Sequence, residues 1–121
     1  MTPLRVLLVE DEPTIAMLLA RVLRNQGHEV CAVATSEAGA IAAAALHHPQ
    51  IILVDVRLRP GSGVAAMTAI LQHGFVPHVF TSGTVIDGLA PEVILLKKPF
   101  TEPELAVALQ CAMAMRPPRV A

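Results

Sequence analysis

Hydrophobic positions along this chain fall into short dense runs and longer periodic stretches, and the two alternate from end to end. Leu4 to Val9 is a short, mostly apolar run that reads as a strand and meets Glu10-Asp11-Glu12. Pro13 suits a first helical turn, where its missing N–H has no partner to lose. Ile15, Leu18, Leu19, Val22 and Leu23 then recur at helical spacing on one face, with Arg21, Arg24 and Gln26 on the other. Gly27 is placed to end that helix in a left-handed conformation. Glu29 to Ala34 reads as a weaker strand of small residues, and Ser36 as the cap of an alanine-rich helix reaching about Leu46. After Pro49 comes Ile51-Ile52-Leu53-Val54-Asp55. Its four consecutive apolar residues, three of them β-branched, predict a strand buried on both faces of a parallel sheet.

The second half repeats the alternation. Val56 to Gly63 is rich in turn residues, Val64 to Gln72 reads as a helix ended by Gly74, and Val76 to Thr81 as a fourth strand running into Ser82-Gly83-Thr84. Val85 to Glu92 contains Gly88 and Pro91, so the helix expected there is short or irregular. Val93 to Leu96 is a fifth strand before Lys97-Lys98-Pro99-Phe100. Thr101 and Glu104 have the spacing of a capping box for a last helix to about Met115, stopped by Pro117-Pro118. Five strands with five intervening or following helices imply right-handed crossovers on both faces of a parallel sheet. The expected architecture is an α/β, flavodoxin-like doubly wound five-stranded sheet of order 2-1-3-4-5, with residues 1–121 forming one domain.

Composition narrows the function more by exclusion than by suggestion. With 54% hydrophobic residues, disorder is disfavoured, and a formal net charge of −1 argues against direct charge-driven binding of nucleic acid or anionic membrane. No apolar run approaches the length of a membrane span. Two cysteines, Cys31 and Cys111, without CxxC spacing fit a reduced, cytoplasmic setting. The absence of Trp and Tyr weakens any proposal that stacks an aromatic cofactor or bases.

The chemistry sits where the strands end. If the strands are parallel, one edge of the sheet collects Glu10, Asp11, Asp55, Ser82 and Lys98. Three carboxylates in one crevice call for a cation, and all-oxygen ligands favour Mg²⁺. Lys98 and Ser82 supply the charge and the hydroxyl that a transferring phosphoryl group needs, and Asp55 can be its nucleophile. The Lys98-Pro99 bond is a candidate cis peptide.

These residues resemble those of a response-regulator receiver domain, in the single-domain, chemotaxis-receiver-like form. The likeness runs through Val6-Leu7-Leu8-Val9-Glu10-Asp11-Glu12, Val54-Asp55 with Pro60-Gly61-Ser62-Gly63, Ser82-Gly83, and Lys98-Pro99-Phe100. It implies that Glu10, Asp11, Asp55 and the Arg57 backbone carbonyl hold Mg²⁺. It further implies that Asp55 accepts a phosphoryl group from a histidine kinase or phosphotransfer protein, paired by Lys98 and hydrogen-bonded by an inward-swinging Ser82. Such a protein catalyses only its own phosphorylation and dephosphorylation. It signals through a downstream protein target, through onward phosphotransfer, or as a phosphorylation-dependent dimer. The initial Met suits a stand-alone receiver or the N-terminal domain of a longer regulator. Two features depart from the family pattern: Leu95 stands where an aromatic switch residue is common, and the stretch from Ser82 to Lys98 is short.

Plainer readings stand beside these. Asp55 alone would be a loop cap, Ser82 a turn hydroxyl with Thr81 as the neighbour to confuse it with, and Glu12 an acid complementing a helix start. Lys97 reads as solvated. The Arg57 side chain either borders the site or is an exposed loop arginine. His47 and His48 sit at a helix end and read as solvating it or complementing its dipole rather than binding metal. Met113 and Met115, two apart, cannot share one helix face, with core filling the default for the pair. An aspartyl phosphohydrolase would place a second Asp two residues after the nucleophile, where this chain has Arg57. A flavin-binding sheet would meet repulsion between its phosphate and Glu10-Asp11-Glu12. A docking module that works without phosphorylation is the remaining alternative.

Overall fold

The computed structural model describes residues 2–117. The elements follow in the order β1 (Arg5–Val9), α1 (Pro13–Asn25), β2 (Glu29–Ala34), α2 (Glu37–His47), β3 (Ile51–Asp55), α3 (Gly63–Leu71), β4 (His78–Ser82), β5 (Leu95–Lys97) and α4 (Glu102–Met113). The five strands form one parallel sheet of order β2-β1-β3-β4-β5, as the alternation predicts.

Strands at the centre alternate their side chains between two buried layers. Val6 and Leu8 of β1, Ile51 and Leu53 of β3 and Val79 of β4 pack with Leu19 and Leu23 of α1 and Leu105 and Leu109 of α4. Leu7, Val9, Ile52, Val54 and Phe80 face the other way, onto Ala40 of α2 and Ala66, Met67 and Ile70 of α3. That double burial is why the β1 and β3 sequences read as nearly unbroken apolar runs.

Local chemistry fixes the ends. Pro13 opens α1, and Gly27, at φ +93°, lies just beyond its end in the left-handed region. Ser36 caps α2 by accepting from the Gly39 N–H, and His48 closes it in a left-handed conformation. Thr101 and Glu104 make both halves of the capping box of α4. Met113 closes α4 partly exposed, while Met115 lies beyond the helix end and packs against the first layer. Pro118, part of the expected stop after α4, lies outside the described residues.

Two expectations need correction. Four helices form among the described residues rather than five: the stretch from Gly83 to Ile94 is irregular, with Gly88 at φ +85°. Gly88 and Pro91 oppose helix there, and no run of good helix formers compensates. The last two strands also lie later than expected. β4 covers His78–Ser82 instead of Val76 to Thr81, and β5 covers Leu95–Lys97 instead of Val93 to Leu96. The ladder sets these limits: the Phe80 N–H donates to the Ile94 carbonyl and the Lys98 N–H to the Ser82 carbonyl.

Candidate functional site

Parallel neighbours β1 and β3 end side by side, which brings Glu10 and Asp11 against Asp55. Backbone bonds hold both ends beyond the strands themselves. The Glu10 N–H donates to Ala34 and the Val56 N–H to Thr81, each at 2.9 Å. Glu10 is 1% exposed and Asp55 8%. Oxygens of Glu10, Asp11 and Asp55 lie within 4.8 Å of one another. They face a cleft of about 730 Å³ that Lys98 and Arg57 also line.

Buried carboxylates at this density need donors, and each has them. The Lys98 ammonium reaches across from the end of β5, with Nζ 2.6 Å from Glu10 Oε1 and 2.7 Å from Asp55 Oδ2. The Arg57 N–H donates to Asp55 Oδ1 at 3.0 Å and the Glu12 N–H to Glu10 Oε2 at 3.1 Å. Burial pushes the Glu10 carboxyl above its ordinary value; the Lys98 ammonium and the Glu12 N–H oppose this, and the Asp55 charge adds to it. Burial alone would lower the Lys98 ammonium, but its bonds to Asp55 and Glu10 and their charges outweigh that and raise it. The Lys98-Pro99 peptide is cis, as is Arg59-Pro60. Three carboxylates offering hard oxygen atoms suit Mg²⁺ in donor type, so the acidic cluster is one that could hold a metal ion.

The loop after Asp55 is fixed from both sides. Arg57 and Ser62 form an antiparallel bridge, and Leu58 is 2% exposed. The Ser62 N–H donates to Glu37 Oε1 at 3.1 Å, and a Cβ on Gly61 would meet that same carboxylate side chain. Ser62 also caps α3, its Oγ accepting from the Ala65 N–H at 3.0 Å. Gly63 opens α3 so close to Asp55 that a Cβ there would overlap the Asp55 carbonyl oxygen.

Ser82 ends β4 fully buried, at 1% exposure. Its hydroxyl is engaged with the next turn rather than with Asp55: Oγ donates to the Thr84 carbonyl at 2.7 Å and accepts from the Thr84 N–H at 3.1 Å. Thr81 pairs in register with Asp55. Lys97 points from the edge strand into solvent.

The structure therefore gathers Glu10, Asp11, Asp55 and Lys98 into direct contact or close approach, with Arg57 adjoining and Ser82 one turn aside. The Arg57 side chain is exposed at the rim, while its N–H is the part that holds Asp55. Two participants escaped the sequence reading. Glu37, on α2, tethers the loop, and Arg59 reaches back to Asp11 and Glu12. Contacts across 25 and 48 residues leave no local pattern. The surplus of acid over base at the strand ends was the available signal for a second cation.

The chain is similar to known proteins in sequence and in fold. A family model described as the response regulator receiver domain matches residues 6–110. The transcriptional regulatory protein PdtaR of Mycobacterium tuberculosis is 31% identical over 118 residues, covering 93% of this chain and 58% of that protein. The phyllosphere-induced regulator PhyR of Methylorubrum extorquens is 32% identical over 114 residues, covering 89% of this chain and 43% of its own. The chain thus spans about half the length of the curated relatives it matches. Among solved structures, the PhyR receiver domain of Erythrobacter litoralis superposes with a TM-score of 0.84 at 30% identity, covering 98% of this chain and 97% of that one. The response regulator domain of Thermotoga maritima CheB, at 22% identity and a TM-score of 0.83, shares the fold.

Proposed function

The chain belongs to the response regulator receiver domain family, and from that premise we propose that Asp55 accepts a phosphoryl group in an Mg²⁺-dependent reaction. One observation carries the reading: the Lys98 ammonium bridges Asp55 and Glu10 at 2.7 and 2.6 Å, leaving a fixed cation beside the only carboxylate at the end of β3. An Asp55 carboxylate oxygen attacks phosphorus as the bond to the donor's leaving group breaks, with the electron pair departing on the donor. Charge in such a transfer spreads over the peripheral oxygens, so positioning and charge stabilisation are what the protein must supply.

Glu10, Asp11, Asp55 and the Arg57 carbonyl would hold Mg²⁺, which supplies charge neutralisation at the phosphoryl oxygens. Lys98 supplies a second cation from the sheet side. Ser82 reaches a phosphoryl oxygen by giving up its two bonds to Thr84, which links the modification to the irregular stretch beginning at Gly83. The donor is a histidine kinase or a phosphotransfer protein. The output is a protein–protein contact, onward phosphotransfer or a phosphorylation-dependent dimer, in a cytoplasmic setting. The protein acts as its own substrate and not as an enzyme toward others. No described helix is long and apolar enough to cross a membrane.

Intact-mass analysis after incubation with acetyl phosphate, with and without Mg²⁺, tests this directly. One phosphoryl adduct is expected, lost in Asp55→Asn and lost without Mg²⁺. An adduct that survives Asp55→Asn would move the acceptor elsewhere. No adduct, together with no Mg²⁺-dependent thermal stabilisation by beryllofluoride, would leave Asp55 a structural residue.

A further inference from the structure

The two cations at the acidic cluster are held in opposite ways. Lys98 serves Glu10 and Asp55, and its side chain is 18% exposed. It makes no bond to Asp11. The donors on Asp11 come from Arg59, whose backbone N–H lies 3.2 Å and whose Nε lies 3.4 Å from Asp11 Oδ2. The Arg59 Nη2 reaches Glu12 Oε1 at 3.4 Å. The Asp11 side chain is 13% exposed and that of Arg59 is 81% exposed.

Arg59 is delivered there by its surroundings. The preceding Leu58 is locked in the core, and the following turn is tied to Glu37 through Ser62. The backbone of Arg59 is therefore fixed beside Asp11, whereas its guanidinium stands in solvent and can leave without disturbing the loop.

We propose that Arg59 is a displaceable counter-ion: it holds Asp11 when no divalent cation is bound and competes with that cation for the Asp11 carboxylate. The inference rests on the metal reading of the site and adds a determinant of its affinity. Lys98 is the more deeply buried partner and Arg59 the exchangeable one. A divalent ion entering between Asp11 and Asp55 takes over the charge Arg59 had balanced, and the guanidinium turns to Glu12 or to the anion arriving at the cleft. Because the guanidinium stands in solvent, its grip is modest and weakens with salt.

Calorimetric titration of the whole chain with MgCl₂ tests this for wild type, Arg59→Ala and Arg59→Lys, at low salt and at about 0.15 M. Arg59→Ala is expected to bind Mg²⁺ more tightly, by about two- to fivefold, the range of an exposed ion pair. Arg59→Lys should stay near wild type, and the gain should shrink at the higher salt. A metal-free thermal-stability cycle of Arg59→Ala with Asp11→Asn provides a second readout, in which the two changes should be less than additive. Unchanged or weaker Mg²⁺ binding in Arg59→Ala would overturn the competition and make Arg59 a bystander or an orienter of Asp11. No Mg²⁺ uptake by any variant, with the coupling intact, would overturn the metal reading itself and leave only an ion pair. Strict additivity in the cycle would remove the ion pair too.

Discussion

The carboxyl ends of β3 and β5 lie in one sheet, two strands apart, and are built to different standards. All five residues of β3 are buried, its neighbours pair with it on both sides, and both oxygens of its final Asp55 have donors. β5 has three residues, one sheet neighbour, and two exposed side chains, Leu95 and Lys97. The segment leading into it forms no helix to cover it. A buried charge cluster demands fixed geometry, because each unpaired oxygen would cost its full desolvation. An edge whose bonds are half open to water has no such constraint. The charge cluster is thus placed where the sheet is buried and paired on both sides, and the irregular segment where the sheet has least to hold it.

Filling the space at the stiff end should be the most costly change. Gly63→Ala pushes a Cβ into the Asp55 carbonyl oxygen, and neither backbone can yield. Urea unfolding should show a loss of about 3 kcal/mol or more. Gly83→Ala, where nothing lies within 4 Å, should stay within about 0.5 kcal/mol. Equal effects at the two glycines would erase the contrast.

Lys98→Met comes next. It leaves Glu10 and Asp55 facing each other, and the cost discounted for partial exposure is about 2–3 kcal/mol. It also changes the alkaline limit. The folded Lys98 ammonium lies above the ordinary 10.5, so its contribution is complete below 10.5 and is lost as pH rises through the folded value. The Cys31 thiol, raised by burial above 9.0, adds a loss beginning at lower pH in both proteins. The difference between the two pH–stability curves therefore isolates Lys98, and the chain has no tyrosine to titrate alongside it. Lys97→Gln, at an exposed position, should reproduce the wild-type curve.

The smallest effect belongs to the edge. Leu95 is 38% exposed, and Leu95→Ala should lower stability by about 1 kcal/mol or less. Its amide should also exchange hydrogen faster than those of Leu53 and Val54. A loss at Leu95 matching that at Lys98 would show the edge to be as constrained as the centre.

This gradient also sets what the sequence could tell. β1 and β3 are legible because burial on both faces forces uninterrupted apolar runs, and parallel strands then bring Glu10, Asp11, Asp55 and Lys98 together by topology alone. α1 and α4 are legible because Pro13, Gly27, Thr101 and Glu104 act on their own neighbours. From Gly83 to Ile94 the residues state no period, so the expected helix had no positive support. The Ser82 hydroxyl faces Thr84, a choice of rotamer that composition does not encode. Arg59 and Glu37 are a third case. Their roles depend on how a loop folds over residues far away in sequence, and only the folded chain brings them into reach.

Lys98 is tied at both ends. Its N–H donates to the Ser82 carbonyl at 2.7 Å, and its ammonium spans Glu10 and Asp55. One residue thus acts as a lever arm, with Ser82 as its fulcrum, the charged centre at its tip and the short edge strand at its base. Anything that moved the ammonium away from Asp55 or Glu10 would act on the residue whose peptide closes β5. The middle of the sheet and its rim thus share one residue, joined by its side chain rather than by the packed layers.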